Sequence, residues 1–130
     1  MRSWTLVTVV SGIVLAALGA GACEPEQTYE EATCPTGTEL TYENFGQGFM
    51  LRHCNTCHTP GLEDRHGAPE GYDFDDLAQI RKHASHIYVR SAGDNASMPP
   101  GPDDPPIEER DQLAEWLACG APSEADATSP

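Results

Sequence analysis

Basic side chains are scarce: Lys and Arg number 7 against 21 Asp and Glu, a formal net charge of −14 over 130 residues. So acidic a surface repels phosphate backbones, which excludes nucleic acid as a partner class. It favours a partner protein with a basic docking face and keeps the chain soluble. Acids near the two ends, Glu24, Glu26, Glu30, Glu31, Glu124 and Asp126, equally well serve simply to solvate those ends. Internal repeats are lacking, and so is any alternation of strand and helix that would give a βαβ unit. The apolar run from Leu6 to Leu18 is short for a bilayer span. What remains is room for one small domain whose ends are unlike its middle.

The middle is organised around Cys54-Asn55-Thr56-Cys57-His58. Three chemistries use two cysteines at this spacing. A redox dithiol wants a βαβ setting, and a zinc site wants four ligands, usually from a second pair at matching spacing. Neither context is present. The third is covalent haem: Cys-x-x-Cys-His is the attachment sequence of c-type haem, in which both thiols add to porphyrin vinyl groups and the imidazole becomes an axial iron ligand. The spacing has a mechanical reason. Cysteines three apart on a helical turn lie on one side of the backbone, and the adjoining histidine is carried beneath the ring.

Both ends read as segments with other duties. Residues 1–22 have the parts of an export signal: Arg2, the apolar run and a small-residue end, Gly19-Ala20-Gly21-Ala22. Cys23 follows, so the junction resembles a bacterial lipobox in which that cysteine is acylated and becomes the new N-terminus. The resemblance departs from the usual pattern at Ala20, where leucine is common. Ordinary cleavage and an uncleaved anchor are the alternatives. Several acyl chains on Cys23 would hold the protein to a membrane, with the domain on the periplasmic or envelope side. Residues 23–40 are acidic and without apolar period, and read as a flexible tether that lets the domain stand away from the membrane; residues 121–130 read as a disordered tail.

Three helices are expected in residues 41–120. The first, Thr41 to His53, has Thr41 as cap and a stripe of Tyr42, Phe45 and Phe49; Gly46 and Gly48 make sense if another helix crosses closely there. The second, Asp73 to Arg90, has Asp73 as cap and Phe74, Leu77, Ile80, Ala84, Ile87 and Tyr88 as its apolar face. The third, Ile107 to Cys119, follows Pro105-Pro106, carries Glu108, Glu109 and Asp111 at its positive end, and buries Ile107, Leu113, Trp116 and Leu117. Trp116 is large enough to cover the crossing with the first helix.

Between these helices lie two irregular loops. The loop from Thr59 to Tyr72 must wrap the edge of the ring, and a histidine bound to iron through one nitrogen needs an acceptor for its other N–H. The carbonyls of Pro60 and Pro69 are the candidates. The second loop, Ser91 to Pro106, holds Met98-Pro99-Pro100. A methionine is ordinarily a gap filler; placed 40 residues after His58 in a proline-stiffened loop, its thioether is a candidate second axial ligand. His83 and His86, three apart, are read as a solvated face or a propionate neighbour, with metal ligation as the alternative. Cys34 and Cys119 flank the first and last helices, so they can form a disulfide if those helices pack together in an oxidising compartment; the alternative is two free thiols.

Taken in order, helix, Cys54-Asn55-Thr56-Cys57-His58, loop, helix, Met98-Pro99-Pro100, and a helix with Trp116-Leu117 resemble a class I cytochrome c domain, in the small single-haem bacterial lipoprotein form. The resemblance covers roughly Tyr42 to Gly120. It implies an all-α, cytochrome c-like fold of three main helices around one covalently attached haem c, with thioethers at Cys54 and Cys57 and axial ligands His58 and Met98. It implies a one-electron carrier rather than an enzyme, passing electrons to a redox partner protein or a membrane oxidoreductase. A haem-bearing subunit or sensor module of a larger oxidoreductase is the alternative, and a peroxidase-like enzyme a further one. The acidic ends and the Cys34–Cys119 pair depart from the usual pattern.

Overall fold

The computed structural model describes residues 27–127. The export signal at 1–22, the lipidation candidate Cys23 and the last three residues of the tail lie outside them. Among the described residues the regular structure is all helical, with no strand.

The first helical run opens on a capping box. The Thr41 hydroxyl accepts from the Asn44 amide (3.2 Å), and the Asn44 side-chain oxygen accepts from the Thr41 amide (2.8 Å). A π-helical turn, Tyr42–Gly46, leads into α1, Gln47–His53. After a long loop come α2, Leu77–Lys82, and α3, Ala84–Ser91. A second loop leads to α4, Ile107–Ala118, and a last short helix, α5, Glu124–Ala127.

Three aromatic residues set the crossing. Trp116 of α4 is fully buried, with Tyr42 stacked 6.5 Å away and Phe45 edge-on at 6.1 Å. Gly46 lies directly against the indole: a Cβ there would come 2.3 Å from Trp116 Cζ2. Its backbone is ordinary right-handed helix (φ −56°, ψ −48°), so glycine is required by the close approach and not by conformation. Gly48, expected to share that role, does not; the nearest atom to a Cβ there is the mobile end of Arg52. Phe49, Met50, Ile80, Leu113 and Leu117 complete the centre of the core at 0–1% exposure. Ile107, expected to be buried, is exposed: the first turn of α4 meets α1 through Glu109, which pairs with Arg52 and His53, and not through Ile107.

The second expected helix is two. Asp76, not Asp73, caps it, accepting from the Gln79 amide at 2.9 Å. Asp73 is committed elsewhere, accepting from Arg65 at 2.6 Å, and Phe74 is drawn back into the loop by its amide's bond to the His58 carbonyl. The helix then breaks at His83 (φ −106°, ψ 13°), whose ring packs 4.6 Å from Tyr72 and 6.0 Å from Phe74.

Both ends of the described chain are packed, against the expectation of a free tether and tail. Tyr29, in a 3-10 turn at Tyr29–Glu31, sits edge-on to Tyr88 at 5.7 Å and donates to the Leu117 carbonyl. Cys34 and Cys119 are joined by a disulfide across 85 residues. At the other end, Gly120 (φ 81°) turns the chain out of α4. Ala121 is then buried, and the Pro122 carbonyl accepts from both the Tyr42 amide (2.7 Å) and Trp116 Nε1 (3.1 Å). Arg81 donates to the Ala121 carbonyl and pairs with Asp126. Sparse apolar residues hid these attachments, which use backbone carbonyls and single aromatic rings instead of a periodic stripe.

Candidate functional site

The Cys54–His58 stretch begins where α1 ends. The Cys54 amide closes the last turn onto the Met50 carbonyl (2.9 Å), and the Cys54 carbonyl accepts from the amides of both Cys57 (3.1 Å) and His58 (2.9 Å). This single tight turn brings Cys54, Cys57 and His58 to one wall of a cleft of about 540 Å³. Phe74 and Ile87 add apolar surface, and Met98, Pro99 and Pro100 line the same cleft. Such a volume lies within the range of small-molecule and cofactor pockets.

Burial, with the neighbouring Cys57 thiol as a second cause, pushes the Cys54 thiol up to about 12. A reactive dithiol needs the opposite shift, toward thiolate at neutral pH. Among the described residues no group of three or more His, Cys, Asp or Glu side chains is gathered as a metal cage, so a zinc site on the two thiols lacks its further protein ligands there.

His58 is held at three points. Its Nδ1 lies 2.7 Å from the Tyr72 carbonyl; a carbonyl only accepts, so Nδ1 carries the proton. Its ring stacks on Phe74 at 4.4 Å, tilted 19°, and its own carbonyl accepts from the Phe74 amide at 2.8 Å. Nε2 is therefore the nitrogen with a free lone pair, the form a metal ligand needs. The acceptor is Tyr72, not Pro60 or Pro69. The Pro69 carbonyl accepts instead from Arg65 (3.0 Å) and from the Tyr72 amide (3.3 Å), and the loop reaches His58 from its far end.

Arg65 is the functional residue that sequence reasoning missed. All five of its N–H donors are used: Nε on Ala68 O (3.3 Å), Nη1 on Thr59 O (3.2 Å) and Asp73 Oδ1 (2.6 Å), Nη2 on Pro69 O (3.0 Å) and Tyr72 O (3.2 Å). The guanidinium thus closes a cage of loop carbonyls. The available signal was the need of an irregular, Gly- and Pro-rich loop for donors to its carbonyls, with Arg65 its only Lys or Arg.

The Met98 segment of the lining is tied down through one carbonyl. The Arg90 carbonyl at the end of α3 accepts from the amides of Ser97 and Met98, both at 2.9 Å, and from the Ser97 hydroxyl at 3.3 Å. Met98 is 41% exposed. His83 and His86 are not a pair at this site: His86 lines the cleft, while His83 is buried against Tyr72, its Nε2 without a hydrogen-bond partner.

Two thiols, an uncommitted imidazole nitrogen, a thioether and apolar surface in the lining of one cleft could hold a flat, apolar, iron-bearing ring. Comparison with protein-family models, with curated proteins and with solved structures returns no match for this chain.

Proposed function

We propose that the chain is a class I cytochrome c domain that carries one haem c on Cys54 and Cys57 and serves as a one-electron carrier in the cell envelope. The observation that carries this reading is the His58 geometry. A histidine beside two half-buried thiols, its Nδ1 proton fixed on a backbone carbonyl and its Nε2 left free on a cleft wall, is built as a ligand. Haem c, when bound, supplies an iron that exchanges one electron between its ferrous and ferric states.

The chain's residues do the rest. Cys54 and Cys57 would fix the ring's edge, His58 would present Nε2, and Met98 would present a soft sulfur that favours the ferrous state. Phe74 and Ile87 keep water from that face. His58 and Met98 would both be given to the metal, leaving no place there for a substrate, so the reading is of a carrier and not an enzyme. The acidic surface selects a partner with a basic docking face, either a soluble redox protein or a membrane oxidoreductase.

Acylation of Cys23 would hold the domain close to its membrane. Gln27 is tied to the folded body, accepting from Tyr88 through its side chain and from Asn95 through its carbonyl. Four residues of chain reach at most about 14 Å, so the spacer is far shorter than the acidic composition implied.

The exposure of Met98 favours a second reading, in which the thioether yields its position and the centre becomes peroxidase-like. Spectroscopy separates the two. The carrier reading expects sulfur-to-iron charge-transfer absorption in the ferric protein, lost in Met98→Ala, and no rapid binding of carbon monoxide by the unaltered protein. Rapid carbon monoxide binding without that band supports the open site instead.

A further inference from the structure

The Tyr72 carbonyl accepts two hydrogen bonds, one from His58 Nδ1 at 2.7 Å and one from Arg65 Nη2 at 3.2 Å. The oxygen's electron density is therefore shared between an imidazole and a guanidinium. Arg65 is itself neutralised by Asp73, 2.6 Å from its Nη1, and the pair is mostly enclosed, at 15% and 20% side-chain exposure. Charges so placed are weakly screened by solvent.

We infer that the Arg65–Asp73 pair tunes the electron donation of His58 through the shared Tyr72 carbonyl, and so sets the reduction potential of the metal that His58 ligates. The inference rests on the functional reading above. The stronger the acceptor at Nδ1–H, the more imidazolate character His58 acquires and the better it stabilises an oxidised metal. Arg65 withdraws density from that acceptor, and its positive charge disfavours the oxidised state directly; both effects raise the potential. Asp73 opposes them. Arg65 is thus a positioning residue for His58 and also an electrostatic one. Lysine cannot reproduce a guanidinium with all five donors engaged, though it retains the charge.

The test is a spectroelectrochemical titration of the haem-loaded full chain and of three variants. Arg65→Met removes the cation and leaves Asp73 unopposed. The reduction equilibrium should shift about threefold to tenfold toward the oxidised form, or about 30 to 60 mV for a one-electron couple. Asp73→Asn keeps an oxygen for Arg65 but unmasks its charge, and should shift the equilibrium the opposite way. Arg65→Lys should restore part of the Arg65→Met loss. In the ferrous protein the His58 Nδ1 proton should move downfield in Arg65→Met, as its bond to Tyr72 tightens.

A clamp with only a structural role would weaken the loop in both single variants without opposite potential shifts. Shifts of the same sign, or none beyond threefold in either, overturn the inference. If Arg65→Met does not assemble, Asp73→Asn decides alone: a raised potential sustains the inference, and an unchanged or lowered one ends it. A wild-type chain that takes up no haem overturns the functional reading and the inference together, whereas a loaded chain with unmoved potentials overturns only the inference.

Discussion

The end of the molecule where the first helical run crosses α4 is closed on itself, while the end that bears Cys54, His58 and Met98 is a cleft with apolar walls. At the crossing, Trp116 has Gly46 pressed against its ring and its Nε1 on the Pro122 carbonyl, and the Cys34–Cys119 disulfide joins the N-terminal segment to the end of α4. At the cleft, Arg65 fixes the loop that holds His58, while the Met98 segment hangs from the Arg90 carbonyl with Met98 exposed. The difference teaches a division of labour. A small domain has little core to spend; here the tight aromatic packing is concentrated at the crossing, so that the site can leave apolar surface uncovered by protein while its polar clamps hold His58.

If this division is real, damage at the crossing should lower stability and spare the site. The largest effect is expected from Cys34→Ser with Cys119→Ser. Opening a link across 85 residues should destabilise the folded chain by about 2 to 4 kcal/mol, read as a lower denaturant midpoint, with covalent haem loading retained. Loss of loading along with the stability would dissolve the distinction between the two ends.

Gly46→Ala should come next, at about 1 to 3 kcal/mol, because the new methyl group forces the Trp116 ring to move. For a domain of this size each kcal/mol is worth about 4–8 °C of melting temperature. A melting temperature unchanged from wild type would mean that the crossing adapts and is not tightly packed.

The smallest effect is acid release of the C-terminal attachment. The backbone amide of Ser123 and then its hydroxyl, followed by Arg81, hold the Asp126 carboxyl down at about 2, below its ordinary 3.8. A carboxylate held low contributes its full stabilisation above the ordinary value and loses it as pH falls toward the lowered one. The Ser123 amide resonance should therefore shift between about pH 4 and pH 2, with the His58 environment unchanged. A shift already complete above about pH 5 would mean that Asp126 does not make this attachment.

What could be read from the sequence was local or periodic. Cys54, Cys57 and His58 are neighbours in the chain, so one turn suffices to bring them to a wall; Tyr42, Phe45 and Trp116 declare their packing by size and spacing. The disulfide partners were legible from their places at helix ends. What escaped was the satisfaction of irregular backbone. Arg65 carries no periodic signal, and Tyr72 supplies a carbonyl that its side chain says nothing about. Asp73 has the look of a helix cap, but the prior claim of Arg65 moves the cap to Asp76. The packed ends escaped for a related reason, since Tyr29 and Pro122 are held by single partners across the fold.

The central claim is the covalent ring on Cys54 and Cys57. It is tested most directly by expressing the full chain with a haem-ligation apparatus and examining it on a denaturing gel by haem-linked peroxidase stain and by intact mass. The account predicts a stained band with one haem added, absent in Cys54→Ala with Cys57→Ala. An unstained wild-type band with no added mass, from cells that load a control cytochrome, would contradict it.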